Sequence, residues 1–166
     1  MSFFYRSERI GRGGKKIEVL KVRTLREGID RTSSFAEKDQ YLWYGRFLRR
    51  TKLDELPQLW SILKGDMALF GYRPMEEREV ALLPEGMKEV LFRAKPGLID
   101  PASIHFFEEE KLLQQMKDPA KVYYEVIRPI KFALQAWYIE HRCFLLDLAL
   151  LYMAVKKILG ALIKRK

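Results

Sequence analysis

Cysteine is nearly absent: Cys143 is the single one among 166 residues. That excludes an internal disulfide framework and fits a reducing compartment. With no metal-ligand spacing around it, Cys143 reads as a small buried apolar residue. Histidine is scarce too. His105 and His141 lie far apart without zinc spacing, so both read as structural or surface residues. Long apolar runs are also missing. The nearest approach, Phe144–Ile163, contains Asp147 and the Lys156-Lys157 pair, which argues against a spanning helix of roughly 20 apolar residues. Met1–Tyr5 is apolar, but Arg6, Glu8 and Arg9 interrupt it, so no signal peptide is expected. No internal repeat or low-complexity linker appears. The length suits one domain, residues 1–166, with a real core.

Positive charge is in excess, with 31 Lys and Arg against 22 Asp and Glu, a net +9. Such a balance implies an anionic partner: nucleic acid, a phospholipid surface or a phosphorylated substrate. Phe3–Ile10 and Lys16–Thr24 are rich in strand-compatible residues, with Gly11-Arg12-Gly13-Gly14 between them, which predicts a hairpin with a glycine turn. That glycine run lacks the spacing of a phosphate loop and no helical pattern follows it. Glu27–Ser34 reads as a polar loop. Phe35–Arg50 reads as a helix burying Leu42, Trp43, Phe47 and Leu48, weakened by Gly45. Leu56, Leu59, Trp60 and Leu63 fall at i, i+3, i+4 and i+7, one apolar helical stripe, with Gly65 as its C-terminal stop. Met67–Phe70 is a short apolar run, followed by a turn at Gly71-Tyr72-Arg73-Pro74. Glu76–Phe92 is helical but broken by Pro84 and Gly86, and Lys95-Pro96-Gly97 marks a loop. Glu108–Met116, Ala120–Glu140 and Phe144–Ile163 make the second half mainly helical, with Pro129 kinking or ending a segment. The expected class is α+β: a mainly helical domain with a small N-terminal hairpin and amphipathic helices at a membrane surface.

The most informative stretch surrounds Asp54 and Glu55. Pro57 donates no backbone hydrogen bond and is tolerated only in a first helical turn, which places both acids at a helix entrance. Free N–H groups and the helix dipole favour anions there. Arg49, Arg50 and Arg73 stand near enough in sequence to neutralise phosphate oxygens, and a carboxylate in that setting serves as nucleophile or metal ligand. The plainer reading is a capping box, Thr51-x-x-Asp54, with first-turn acids as ordinary helix stabilisers; Pro57 counts against the box. Lys21 and Arg23 read by default as solvated residues on one strand face.

Four blocks carry a resemblance. The opening Phe3–Lys15 with Leu20-Lys-Val-Arg-Thr-Leu25, the core Leu48-Arg-Arg-Thr-Lys-Leu-Asp-Glu-Leu-Pro-Gln-Leu-Trp60 through Lys64-Gly-Asp-Met67 and Gly71-Tyr-Arg-Pro74, and the later Pro96–Ile104 and Tyr138–Leu148 together resemble the bacterial sugar transferases. These are monotopic phosphoglycosyl transferases that start polysaccharide and glycoconjugate assembly. The resemblance is to their soluble catalytic part, without the N-terminal re-entrant membrane hairpin. Tyr72 stands where the family usually has Pro, and Ile99 where Thr is common.

The resemblance implies transfer of a sugar 1-phosphate from a UDP-sugar to polyprenyl (undecaprenyl) phosphate. Asp54 would be the nucleophile, forming an aspartyl-phosphosugar, and Glu55 would hold Mg²⁺ with Asp54 or assist proton transfer. Lys21, Arg23, Arg49, Gln58, Arg73 and Pro74 would bind substrate and phosphate. The expected partners are a UDP-sugar, polyprenyl phosphate and an anionic membrane surface, at the cytoplasmic face of the bacterial inner membrane. The apolar Phe144–Ile163 with its basic tail Lys164-Arg165-Lys166 suits such a surface. A non-catalytic basic binding module is the alternative class. Against a nucleic-acid partner, the basic residues are scattered among acids and no nucleic-acid motif appears.

Overall fold

The computed structural model describes residues 2–26 and 40–163. Strands β1 (Phe4–Ile10) and β2 (Lys16–Val22) pair antiparallel, with Tyr5 opposite Lys21 and Ile10 opposite Lys16. The turn between them is a short 3-10 segment in which Gly13 and Gly14 take φ of 67° and 75°, left-handed values that glycine adopts without steric cost. The expected hairpin is present. The polar loop Glu27–Ser34 and the first part, 35–39, of the helix expected over Phe35–Arg50 lie outside the described residues. The helix itself, α1, spans Gly45–Thr51. Gly45 is there because α1 begins against the backbone: a Cβ would stand 2.0 Å from the Thr24 carbonyl oxygen. Leu42 and Leu48 are half-buried, but Trp43 is 93% and Phe47 50% exposed, against the expectation that both are buried.

After Lys52 a 3-10 turn, Leu53–Gln58, carries Asp54, Glu55 and Pro57 and runs into α2 (Leu59–Leu63). Gly65 ends α2 at φ 84°, with Gly65 N donating to Ile62 O and Asp66 N to Ser61 O, the expected left-handed stop. The apolar stripe is turned the wrong way round. Leu56, Leu59, Trp60 and Leu63 are all exposed, while Asp54, Glu55, Gln58 and Ser61 are buried. The polar face packs on β2, where Ser61 Oγ donates to Glu18 O and Lys21 reaches Glu55, so electrostatic partners rather than apolar area decide which face turns in. The capping box is also not formed: the Thr51 hydroxyl donates back to Phe47 O and Leu48 O.

Strand β3 (Ala68–Phe70) pairs in parallel with β4 (Gly97–Ile99), so the expected loop at Lys95–Gly97 runs directly into a strand. The following turn, Gly71–Pro74, is clamped to β4 by Gly71 N to Ile99 O and Gly97 N to Tyr72 O bonds. A third link, Ile10 N to Met75 O, ties the turn to β1. Helices α3 (Glu77–Val80) and α4 (Glu85–Phe92) replace one long helix. The break falls at Pro84, and Gly86 is accommodated inside α4. Tyr72, Met75, Leu83, Leu91 and Phe132 form the core between these elements.

Helices α5 (Pro101–His105), α6 (Glu109–Leu113) and α7 (Pro119–Val122) lead through a π-helical turn, Tyr123–Ile127, into α8 (Arg128–His141) and then α9 (Phe144–Ile163). Pro129 follows directly on the π-helical turn, so the expected kink takes the form of a local change of helix type within a continuous helical run. Cys143 is exposed, because it lies in the bend between α8 and α9 and not within either packed helix. Tyr138 Oη closes that bend with a short hydrogen bond to Asp147, and His105 and His141 are both exposed. None of the described helices is long and apolar enough to cross a membrane.

Two glycines separate close approach from mere presence. A Cβ on Gly97 would lie 2.1 Å from Gly71 N, whereas one on Gly86 meets nothing within 4 Å. Gly97→Ala is expected to cost about 3 kcal/mol through backbone displacement. Gly86→Ala should be neutral or stabilise by about 0.5 kcal/mol through helix propensity. Urea denaturation of the two variants measures both.

Candidate active site

Glu55 is the best-anchored charge in the molecule. Its Oε1 accepts from Lys21 Nζ at 3.0 Å and from Arg73 Nη2 at 2.6 Å, and its Oε2 accepts from Arg73 Nη1 at 3.2 Å. Lys21 comes from β2, Glu55 from the 3-10 turn and Arg73 from the turn after β3, so one carboxylate joins three separate elements. The Arg73 fork matches the carboxylate geometry in two parallel bonds. Burial opposes ionisation of Glu55, but Arg73 and Lys21 outweigh it and hold the carboxyl well below its ordinary range. Glu55 in turn raises Arg73 further, with a contribution from Asp100.

Asp54 is treated in the opposite way. Burial and the adjacent Glu55 charge push its pKa up, against the pull of Lys21, Lys52 and Arg49. Its Oδ1 is buried and accepts no hydrogen bond among the described residues. Of the two adjacent carboxylates, then, one is fully engaged and the other keeps a free oxygen in a ring of cations. Lys52 helps build that ring from the hinge between α1 and the 3-10 turn. It is the one non-glycine residue with positive φ (60°) among the described residues, and its ammonium lies 5.6 Å from the centre of the Phe107 ring. Burial lowers the pKa of both Lys52 and Lys21, against the attraction of Glu55.

A cleft of about 1650 Å³ opens beside the pair. Lys21, Arg49, Gln58, Arg73 and Pro74 line it; Glu55 lies behind Lys21 and Arg73 with Asp54 next to it in the chain, and neither acid itself lines the cleft. Arg49 stands 5.7 Å over the Tyr41 ring. Gln58 is only 2% exposed with an unpartnered Nε2. Arg23 is the expected site residue that the fold does not bring in: its Nε donates to Ser2 O and its guanidinium lies over the Tyr5 ring. Lys52, Asp100, Arg128 and Gln135 were missed in the sequence. Asp100 caps α5 by accepting from Ser103 N; the others carry no local signal because the fold alone brings them to the cleft.

No group of three or more His, Cys, Asp or Glu among the described residues is arranged to hold a metal ion. Mg²⁺ is commonly held through one or two carboxylates, with waters and substrate phosphates completing its shell. The unpartnered Asp54 oxygen fits that pattern, whereas both oxygens of Glu55 are already taken by cations.

The chain is similar to known proteins. The family described as bacterial sugar transferase matches residues 1–161. A UDP-galactose-lipid carrier transferase of Erwinia amylovora is 30% identical over 97% of this chain and 33% of its own length. The uncharacterized sugar transferase EpsL of Bacillus subtilis is 31% identical over 94% of this chain and 69% of its own. A UDP-glucose:undecaprenyl-phosphate glucose-1-phosphate transferase of Caulobacter vibrioides is 36% identical over 60% of this chain and 39% of its own. The chain thus spans about a third of the first of these relatives.

The two acids have opposite effects on stability. A carboxyl whose folded pKa is depressed stabilises the fold above its unfolded value, about 4.3 for Glu, and that contribution is lost as pH falls through the lower folded value. Glu55→Gln removes it and leaves Lys21 and Arg73 unpaired, so it should lower stability at pH 7 by about 3 kcal/mol. Asp54 has a raised folded pKa, so its ionised form costs stability at pH 7. Asp54→Asn should therefore raise Tm there, and the gain should vanish below about pH 3.9. Thermal unfolding of both variants across pH 3–7 reads the two signs.

Proposed function

The chain belongs to the bacterial sugar transferase family, and from that premise we propose that it transfers a sugar 1-phosphate from a UDP-sugar to polyprenyl phosphate. The observation that carries this reading is the buried, unpartnered carboxylate oxygen of Asp54 within a ring of cations, next to a glutamate whose own oxygens are already occupied. A carboxylate so placed is a nucleophile toward phosphorus, and its raised proton affinity keeps it basic when ionised.

In the first step an Asp54 oxygen bonds to the sugar-linked β-phosphorus. The bond from that phosphorus to the bridging oxygen breaks, and UMP leaves with the electron pair. An oxygen of polyprenyl phosphate then attacks the same phosphorus and the Asp54–phosphorus linkage breaks, giving polyprenyl diphosphate sugar and free Asp54. Arg73, Lys21, Lys52 and Arg49 supply positive charge for the transferring phosphoryl oxygens, so stabilisation comes from groups already in position. Glu55 holds Arg73 and Lys21 in that position. Mg²⁺, held through Asp54 and the diphosphate, would neutralise phosphate charge.

The acceptor is membrane-borne, and the outward-facing apolar residues suit a monotopic or peripheral position at the cytoplasmic face of the inner membrane. Helix α9 exposes Phe144 (79%), Leu145 (74%) and Tyr152 (66%). Its C-terminal half lines the cleft through Met153, Lys156 and Lys157. On the 3-10 turn and α2, Leu56, Leu59, Trp60 and Leu63 face out from the same segment whose other face holds the acids. Apolar side chains flanked by lysines bind anionic bilayer surfaces by burial plus electrostatics.

Two measurements test the proposal. UMP release from a panel of UDP-sugars, with Mg²⁺ and polyprenyl phosphate in detergent, should occur with the wild type and fall by at least about 10³-fold in Asp54→Asn. Equal rates in the two proteins would remove Asp54 as nucleophile, and no release with any donor would favour a non-catalytic binding module. In sedimentation with vesicles containing an anionic phospholipid, the wild type should pellet and the Phe144→Ser/Leu145→Ser double variant should shift to the supernatant. Wild type left in the supernatant would contradict the surface placement.

A further inference from the structure

The cleft has a second wall that phosphate chemistry does not use. Arg128, Phe132 and Gln135 line it from one face of α8, at i, i+4 and i+7. Gln135 is 3% and Arg128 4% exposed. Both carry a buried polar atom without a partner, Oε1 of Gln135 and Nε of Arg128. The remaining bonds fix the two side chains. Gln135 Nε2 donates to Asp100 Oδ1 at 3.2 Å, and Asp100 is itself pinned by the Ser103 N–H at 2.9 Å. Arg128 Nη2 donates to Glu79 O at 3.1 Å, and its guanidinium lies 5.3 Å over Tyr124 and 5.2 Å over Phe132. A carboxylate accepts only, so the amide nitrogen of Gln135 must face Asp100 and its carbonyl oxygen is the atom left over.

We propose that this wall is the subsite for the sugar ring of the donor, with Gln135 Oε1 accepting from one sugar hydroxyl, Arg128 Nε donating to another, and Phe132 lying under the ring. The inference rests on the UDP-sugar reading above and deepens it. On α8 the unpartnered atoms are one acceptor and one donor at buried side chains, with Asp100 Oδ2 beside Gln135 a further acceptor and Gln58 Nε2 and Glu110 Oε1 elsewhere on the cleft lining, and leaving such atoms unpaired is costly. A phosphate satisfies the donor but offers nothing to the acceptor, and a prenyl chain satisfies neither. A hydroxylated ring both donates and accepts. Position points the same way. Asp100 acts on both sides, binding Gln135 and adding to the field at Arg73, which holds Glu55. The wall is therefore a single side chain removed from the phosphate-binding arginine, and the sugar is the group attached directly to the phosphorus under attack. Uracil lies beyond a second phosphate and a ribose.

The test is equilibrium binding of UDP, UDP-glucose and UDP-galactose, with Mg²⁺, to the wild type, Gln135→Met and Arg128→Lys, run beside the UMP-release assay. The wild type should bind at least one UDP-sugar more tightly than UDP. Gln135→Met should weaken that UDP-sugar about 10-fold while leaving UDP affinity unchanged, which also shows that the variant is folded. Arg128→Lys, which keeps the charge but moves the donor, should change the ratio between the two sugar epimers. If the UDP-sugar advantage persists in both variants, the subsite is wrong while the phosphoryl-transfer reading stands. If UDP weakens in step with UDP-sugar, the wall reads the uracil or only supports the fold, and the sugar assignment fails. A wild type that binds none of the three nucleotides would overturn the donor reading and the subsite together.

Discussion

The structure depends on one partly buried ion triad. The buried Glu55 accepts from Arg73 and Lys21, and those three residues come from three elements, which backbone links and the Ser61–Glu18 bond also hold together. Burying such charges is expensive, and the net contribution of a buried ion pair to stability is often near zero. The triad therefore makes better sense as a positioning device. It directs two cations toward the cleft and occupies the oxygens of the glutamate, whose charge still raises the proton affinity of the adjacent Asp54, while Asp54 Oδ1 keeps no partner of its own.

The same triad explains why the segment around the acids is amphipathic in the reverse sense. A helix normally turns its apolar stripe inward. Here Asp54, Glu55, Gln58 and Ser61 face β2, and Leu56, Leu59, Trp60 and Leu63 face out. Pro57 keeps the entry a 3-10 turn, and the left-handed Lys52 sets its direction after α1. One short segment thus holds the acids beside the cleft and turns an apolar surface to the outside. That arrangement suits the proposed nucleotide-sugar donor and lipid acceptor.

Much of the fold could be read in the sequence because it is locally encoded. The glycine turn between β1 and β2, Gly65 after α2, Pro84 before α4 and the long helical run at the C-terminus each follow from backbone preferences. The misreadings share a cause. Burial of Trp43 and Phe47 is expected from hydrophobicity, and a stripe such as Leu56–Leu63 normally turns inward, a rule that leaves out the buried charges packed on β2. Cys143 was placed inside for the same reason, although its place in the bend before α9 leaves it exposed. Among the site residues, Lys21, Arg49, Gln58, Arg73 and Pro74 do converge beside Asp54 and Glu55. Arg23 does not, because it lies just past the end of β2 and is held by the Ser2 carbonyl and Tyr5. Asp100, Arg128 and Gln135 could not be read as site residues, since only tertiary packing unites α5, α8 and the Gly71–Pro74 turn.

The division of labour between neighbouring carboxylates is therefore the central physical claim: Glu55 is locked as an anion and Asp54 is left free and more basic. The most direct measurement is a carbon-13 NMR titration of the two side-chain carboxyls, assigned with Asp54→Asn and Glu55→Gln. The structure predicts that Asp54 titrates above the ordinary aspartate value of about 3.9 and Glu55 below the ordinary glutamate value of about 4.3. The reverse order, with Glu55 titrating high and Asp54 low, would contradict it.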